Sequence, residues 1–248
     1  MTFAYNQDTE VLHNIDLSIE PGETFALVGA TGAGKSTIAK LITRFYDPSA
    51  GSVTIDGQDL RQVDIDSLRN QLGVVPQEPF LFHGTIRDNI AFAHRGATTE
   101  EINAAIEHVG LTEAVQQLPD GIDTLVHERG VSLSAGERQL LALARAFISR
   151  PRVIVLDEAT SSLDLRSEAQ IEQALESLLE GRTAVLIAHR LATAMKADRI
   201  GVVDAGTIIE LGTHEELLGL GGRYSEMFET WMSHVESNTS AESVPLSD

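Results

Sequence analysis

The sequence predicts an α/β fold built on a mainly parallel sheet with flanking helices. In the second half of the chain, apolar runs at residues 153–156, 184–188 and 199–203 alternate with helical segments. Alternation of this kind is typical of parallel strands joined by helices. Two further parts are expected beside this core: an N-terminal antiparallel β subdomain and an α-helical subdomain inserted at about residues 85–147.

The N-terminal part is predicted to consist of short strands that pair as an antiparallel or mixed edge. Apolar Ile15, Leu17 and Ile19 alternate with polar residues, and this period of two indicates a half-buried strand. The expected strands of this part are residues 2–5, 15–19, 24–28 and 52–55.

The inserted part and the end of the chain show helical patterns. Thr98, followed three residues later by Glu101, forms a capping box ahead of apolar residues at helical spacing. Near the end, large apolar side chains share one helical face, which favours core packing over a binding surface. They are Tyr224, Met227, Phe228, Trp231 and Met232. Residues 236–248 are polar, Ser-rich and acidic, so we predict one domain over residues 1–235 and then a disordered tail.

The charge balance of the chain is strongly acidic. It carries 18 Lys and Arg residues against 37 Asp and Glu residues, a formal net charge of -19. Such a field repels polyanions and argues against a nucleic-acid binder, although a few oriented donors can still bind phosphate locally. The sequence has no cysteine, no signal peptide and no apolar run of the roughly 20 residues that a spanning helix needs. We therefore expect a cytosolic chain.

A phosphate-binding motif follows the predicted strand at residues 24–28. Residues 29–37, the phosphate loop, read GATGAGKST and match the pattern G-x-x-x-x-G-K-[ST] ahead of a helical run. Glycines let backbone N–H groups surround phosphate oxygens, while Lys35 can reach the outer phosphates and the Ser36 hydroxyl can bind Mg²⁺. An ordinary glycine turn is the alternative. The motif in this context predicts a P-loop NTPase core.

Two carboxylates end the apolar run at residues 153–156. In P-loop enzymes an aspartate at the position of Asp157 holds Mg²⁺, usually through water. The adjacent Glu158 can orient or deprotonate an attacking water. By itself the pair could equally cap the next helix, but the presence of Lys35 favours the catalytic interpretation.

Two further polar residues follow predicted strands directly. Gln77 comes after the apolar residues 72–75, and His189 comes after residues 184–188. Both are expected at the carboxyl edge of the sheet, where open α/β folds bind ligands. A single histidine or glutamine in such a place is more often structural, so position alone leaves both roles open.

Taken together, these motifs resemble the ATP-binding domain of ABC transporters over nearly the whole chain. The segments that carry the resemblance are the phosphate loop, Gln77, the signature segment LSAGERQ at residues 133–139, Asp157 with Glu158, SSLD at residues 161–164, and His189. Four further segments resemble the exporter branch of the ABC transporters: LFHGTI at residues 81–86, ERG at residues 128–130, AHRL at residues 188–191 and GTHEEL at residues 212–217.

The resemblance implies ATP and Mg²⁺ as cofactors and assigns a role to each motif. Tyr5 would stack on adenine, although it could instead be a simple strand aromatic. Residues implied in binding ATP are Tyr5, Gly29, Thr31, Gly32, Ala33, Gly34, Lys35, Ser36, Thr37, Gln77, Ser134, Gly136, Glu137 and Asp164. The implied Mg²⁺ contacts are Ser36, Gln77 and Asp157, and the implied catalytic residues are Glu158, His189 and Lys35.

The signature segment departs from the family pattern L-S-G-G-Q at two positions. Ala135 adds a Cβ beside a backbone that faces phosphate, and Glu137 adds a negative charge. At about 8 Å and an effective dielectric of about 20, repulsion of one phosphate charge is about 2 kcal/mol, which slows a site without abolishing it. The cost falls if Glu137 accepts a hydrogen bond from the ribose. Ser134 and Glu137 also form a capping box, the structural interpretation of the same residues.

The resemblance also implies partners. Two such domains, identical or different, would close head to tail around two Mg-ATP, with Asp164 at their interface. The coupling helices of a transmembrane domain would contact the segment after Gln77 at the cytoplasmic face of the membrane. Because Met1 stands just before Tyr5, we expect a domain excised from a longer transporter. A soluble ABC ATPase that clamps in translation or DNA repair is the alternative, and the acidic charge disfavours it.

Overall fold

The computed structural model describes residues 1–6, 9–127, 130, 133–157, 165–188 and 190–242. Its strands are β1 (Phe3–Asn6), β2 (Thr9–Leu12), β3 (Thr24–Val28), β4 (Thr54–Ile55), β5 (Gln58–Asp59), β6 (Leu72–Val75), β7 (Gly84–Thr85), β8 (Leu125–Val126), β9 (Val153–Asp157), β10 (Thr183–Ile187), β11 (Arg199–Asp204) and β12 (Thr207–Gly212). Its α-helices are α1 (Lys35–Ile42), α2 (Ile65–Gln71), α3 (Ile86–Ala91), α4 (Thr99–His108), α5 (Thr112–Gln116), α6 (Ala135–Ile148), α7 (Leu165–Leu179), α8 (Leu191–Ala194), α9 (His214–Leu220) and α10 (Arg223–Glu242).

The central sheet confirms the predicted α/β class. Among the described residues it has six strands in the order β12-β11-β3-β10-β9-β6. All neighbouring pairs are parallel except β11 with β12, which are antiparallel. The N-terminal strands β1 and β2 form a separate antiparallel pair.

Both faces of the sheet are buried. Successive side chains of its inner strands point to opposite sides, and an apolar core lies on each side. In β3, Ala26 and Val28 pack into the larger apolar core under the helices α3 to α7, whereas Phe25 and Leu27 pack into a second core against α1. β10 divides its side chains between the same two cores. The near-continuous apolar runs of the sequence are the signature of such strands.

The prediction of a strand at residues 15–19 is wrong. Ile15 is buried, and Leu17 and Ile19 are partly buried against the second core, so the alternation of side chains is as expected. Its backbone makes hydrogen bonds outside a strand ladder instead: the amide of Ile15 donates to the Met1 carbonyl, and the Arg199 side chain donates to the Ser18 carbonyl. A segment can therefore show a strand pattern without joining a ladder.

Helices α3 to α6 lie between β6 and β9 in the chain, where the helical pattern occurs. The capping boxes predicted from Thr98 with Glu101 and from Ser134 with Glu137 are both present. The same motif begins α3 and α9. The boundaries of an inserted subdomain remain a prediction.

The C-terminal helix packs through its first turns. Tyr224 is fully buried, and Met227 and Trp231 lie against the larger core. The helix is described to Glu242, and so the structure differs from the predicted disorder over residues 236–242; helix propagation adds a backbone hydrogen bond for each residue fixed. Residues 243–248 lie outside the described part. No helix in the described ranges has the length and apolar character needed to cross a membrane.

The two cores predict where substitution destabilises the domain. Leu143 on α6 is fully buried, so we expect Leu143→Ala to lower the free energy of unfolding by about 2 to 5 kcal/mol in urea denaturation. Leu220 at the end of α9 is 66% exposed, and Leu220→Ala should change it by less than about 0.5 kcal/mol. Equal losses in the two variants would contradict the placement of α6 in the core.

Candidate active site

The phosphate loop joins β3 to α1 at the carboxyl edge of the sheet. At its start a Cβ on Gly29 would lie 2.1 Å from the Val203 carbonyl oxygen of β11, so this position accepts glycine alone. At its end Gly34 caps α1 with a φ of 116°, in the left-handed region. The loop is thus held against the neighbouring strand and turned into the helix.

Lys35 lies inside this loop. Its side chain is almost fully buried, and its Nζ donates to the carbonyl oxygens of Gly29 at 2.7 Å and Ala30 at 3.0 Å. Burial lowers the pKa of the Lys35 ammonium, and the nearby Asp157 carboxylate opposes that shift. The electrostatic interaction brings together the two motifs that the sequence separates by more than a hundred residues.

The N-terminus of α1 is arranged for an anion. Capping boxes begin α3, α4, α6 and α9, whereas α1 has no side-chain cap and no acidic residue in its first turn. Its first N–H groups and helix dipole therefore favour a phosphate. The oxygen donors of Ser36 and Gln77, which are exposed, and of Asp157 are of the type that Mg²⁺ prefers. The residues present fit a magnesium nucleotide.

The strand order explains which motifs can meet. β10 separates β3, which precedes the phosphate loop, from β9, which ends at Asp157. β6 lies on the other side of β9, and Gln77 follows its end by two residues. Because parallel strands end at the same edge, the phosphate loop, Asp157 and Gln77 share the carboxyl edge. Glu158, His189 and Asp164 lie outside the described residues.

Tyr5 lies on β1 beside the phosphate loop. Its ring is 42% exposed, and its hydroxyl is 3.1 Å from Oγ1 of Thr37 in the loop. Phe3 and Tyr46 meet the ring edge-on at centroid distances of 4.9 Å and 5.1 Å. Sequence reasoning missed Tyr46; the available signal was the aromatic pair of Phe45 and Tyr46, which begins three residues after the end of α1. These contacts fix a half-exposed aromatic ring next to the loop.

The signature segment begins α6. The Ser134 amide donates to Glu137 Oε2 at 2.7 Å, and the Glu137 amide donates to Ser134 Oγ at 3.2 Å. The Glu137 carboxylate is thereby turned onto the first turn of its own helix. A Cβ on Gly136 would lie 2.7 Å from Oγ of Ser167 on α7, so glycine is needed for the two helices to approach.

An aromatic surface follows Gln77 in the chain. Phe80 and Phe92 are each more than half exposed, and the ring of Phe82 lies between them with centroid distances of 5.1 Å and 4.3 Å. Phe92, the residue that follows α3, was not found by sequence reasoning, because a single phenylalanine at a helix end carries no pattern. We call Phe80, Phe82 and Phe92 the aromatic surface.

Comparisons with known proteins identify the family of the chain. A profile described as "ABC transporter" matches residues 12–161. The "Uncharacterized ABC transporter ATP-binding protein YwjA" of Bacillus subtilis (strain 168) is 49% identical over 229 residues, which is 92% of this chain and 40% of that protein. The "Putative multidrug export ATP-binding/permease protein YgaD" of the same organism is 47% identical over 229 residues, with the same two shares.

A solved structure is also similar. The chain in "Structure of a bacterial Atm1-family ABC exporter with ATP bound" superposes with a TM-score of 0.86 at 40% sequence identity, covering 100% of this chain and 41% of that one. The present chain spans about 40% of the length of the two Bacillus relatives. From the profile match, the relatives and the shared fold, the chain belongs to the ABC transporter family, as one of its ATPase domains.

Proposed function

We propose that this domain pairs head to tail with a second such domain around two Mg-ATP, and that hydrolysis drives export through a membrane part of the whole protein. The observation that carries the proposal is that the chain has two separate parts of a nucleotide site, which we call half-sites, on different elements. The phosphate loop lies at the sheet edge, whereas Ser134 and Gly136 lie at the start of α6. A second domain can supply the half-site that each nucleotide lacks.

Within one domain, the phosphate loop would hold the phosphates. Lys35 supplies the positive charge, and the backbone of Gly29, Thr31, Gly32, Ala33, Gly34, Ser36 and Thr37 supplies N–H donors. Ser36, Gln77 and Asp157 would hold Mg²⁺, which when bound neutralises charge on the phosphates. Their support is the uncapped start of α1 and the interaction between Lys35 and Asp157.

Glu158 and His189 would act on the attacking water. Glu158 follows the end of β9 directly and would accept a proton from the water. His189 follows the end of β10 by two residues and would contact the outer phosphate. The strands β9 and β10 are neighbours, which supports a shared task at the same edge.

Tyr5 would bind the adenine of this chain's own ATP, and the signature segment would bind the nucleotide of the partner. The exposed ring of Tyr5 offers a stacking face. Ser134, Gly136 and Glu137 would contact the ATP of the opposing domain, with Asp164 at the interface. The signature segment would thus serve the partner's nucleotide rather than this chain's own.

The membrane part would contact the aromatic surface. Phe80 and Phe92 are exposed close to the segment after Gln77, and clustered exposed aromatic side chains mark interaction sites. Coupling helices of the transmembrane domain are the proposed occupant, which places the domain at the cytoplasmic face of the membrane. Movement of the paired domains would pass through this contact.

Removing the proposed base tests the chemistry. We expect Glu158→Gln to lower turnover at least about a hundredfold while ATP still binds, because the amide cannot accept the proton. Phosphate release and binding of a fluorescent ATP analogue measure the two effects. Glu180→Gln makes the same charge change on an exposed residue and should leave turnover unchanged. Near-normal turnover in Glu158→Gln would remove Glu158 from the role of base.

Mixing two inactive variants tests the shared site. Lys35→Ala disables the phosphate loop and Ser134→Arg disables the signature, so each alone should be inactive. In a one-to-one mixture about half of the pairs are mixed, and each mixed pair holds one intact composite site. We expect about a quarter of normal activity and a rate per chain that rises with protein concentration. A mixture as inactive as its components would mean that the two motifs do not meet across a pair.

Substitution of Tyr5 tests adenine stacking. Tyr5→Leu should raise the KM for ATP about tenfold, because stacking of a base on an aromatic ring is worth about 1 to 3 kcal/mol. Tyr5→Phe keeps the ring and loses only the hydroxyl contact with Thr37, so its KM should stay within about twofold of normal. If the two variants lose affinity equally, the hydroxyl rather than the ring carries the effect.

A further inference from the structure

Asn89 on α3 is a buried polar side chain that the proposed function does not use. It is 1% exposed. Its Oδ1 accepts from the Phe82 amide at 2.9 Å, and its Nδ2 donates to the carbonyl oxygens of Phe82 and Thr85, both at 3.0 Å. A side-chain amide therefore clamps both backbone groups of Phe82, as a neighbouring strand would.

Arg145 on α6 completes the hydrogen bonding of Asn89. Its Nη2 donates to Asn89 Oδ1 at 3.1 Å, which occupies the second acceptor position of that amide. Its Nε donates to the Asn89 carbonyl and its Nη1 to the Phe80 carbonyl, both at 2.9 Å. The guanidinium also lies 5.3 Å from the ring centroid of Phe82 and 5.7 Å from that of Phe92.

The contacts of Arg145 are unusual for a cation. Burial lowers the pKa of its guanidinium, and its contacts are with carbonyl oxygens, a side-chain amide and aromatic rings. Three donors in a rigid fork reach three oxygens at once, which the single ammonium of lysine cannot reproduce. The side chain is thus suited to holding a backbone segment in place.

The segment that is held joins two parts of the proposed ATP site. Residues 80–82 follow Gln77 by three residues, and Leu81 between the clamped positions is fully buried. A Cβ on Gly130, shortly before the signature segment, would lie 2.7 Å from Leu81 Cδ1. Arg145 itself is ten residues along α6 from Ala135, about 15 Å on a straight helix. Residues 80–82 therefore contact Gly130, which precedes α6, and Arg145 near the C-terminal end of α6. We call α6 the signature helix.

We propose that Asn89 and Arg145 are positioning residues that lock the segment after Gln77 to the signature helix. Gln77 at this chain's own nucleotide and Ser134 at the partner's nucleotide then move as one unit. The inference rests on the proposed function, since it links the two half-sites assigned there. It adds two positioning residues to that site, Asn89 and Arg145.

The test uses the complete 248-residue chain and two conservative variants. Arg145→Lys keeps the charge and loses the fork. Asn89→Asp keeps the shape and the acceptor, but it turns an oxygen toward the two carbonyls that Nδ2 now serves. Arg87→Lys is the matched control, because Arg87 also lies on α3 and bonds Asp123 and Thr99 without touching residues 80–82.

Three readouts separate a positioning role from a structural one. Thermal melting establishes whether each variant folds. If Arg145→Lys does not fold, the test is made with Asn89→Asp alone. Binding of a fluorescent ATP analogue at low protein concentration should stay within about twofold, while kcat falls about tenfold. The decisive readout is a double-mutant cycle with Gln77→Ala: the double variant should be no slower than about the slower single variant.

The outcomes are distinguishable from failure of the proposed function. A wild-type chain without ATPase activity, or without complementation between Lys35→Ala and Ser134→Arg, overturns the proposed function. An active wild-type chain in which Arg145→Lys and Gln77→Ala multiply their losses overturns the locking role alone. Losses in the Arg87→Lys control equal to those of Arg145→Lys would also overturn it, because the effect would then belong to α3 in general.

Discussion

Burial of the central strands on both faces is the constraint on which the rest of the structure depends. β3 and β10 alternate their side chains between two apolar cores, so a shift of either strand by one residue would turn every side chain into the opposite core. This fixes where β3 ends, and the phosphate loop must then leave it beside β11. A Cβ on Gly29 would lie 2.1 Å from the Val203 carbonyl oxygen, so the loop can pass this close to β11 only with glycine at that position.

The beginnings of two helices show how the same backbone chemistry serves two purposes. α1 begins without a side-chain cap, and its donors and the buried Lys35 face one site. α6 begins with a full capping box, in which Glu137 satisfies the Ser134 amide. The Glu137 carboxylate, the added negative charge of the signature segment, therefore accepts a hydrogen bond from its own helix. It lies at the N-terminus of α6, where the helix dipole favours an anion.

The motifs for phosphate binding could be read from the sequence because they are local. Glycines, a lysine and a hydroxyl at fixed spacing create the loop wherever a strand meets a helix, and capping boxes at Thr98 and Ser134 need only four residues each. The lock formed by Asn89 and Arg145 could not be read, because one amide and one guanidinium 56 positions apart have no spacing rule. The wrong strand at residues 15–19 arose for the opposite reason: its side-chain pattern is local, but pairing in a ladder depends on a neighbour.

The sequence by itself determined the α/β class, the phosphate loop, the capped helices and the family resemblance, since each depends on residues close together in the chain. Only the tertiary structure decided that β10 separates β3 from β9, that Tyr46 and Thr37 hold the ring of Tyr5, and that Arg145 reaches the segment after Gln77. Strand order and such contacts depend on how distant apolar faces pack against one another. Packing selects among arrangements that local patterns leave equally possible.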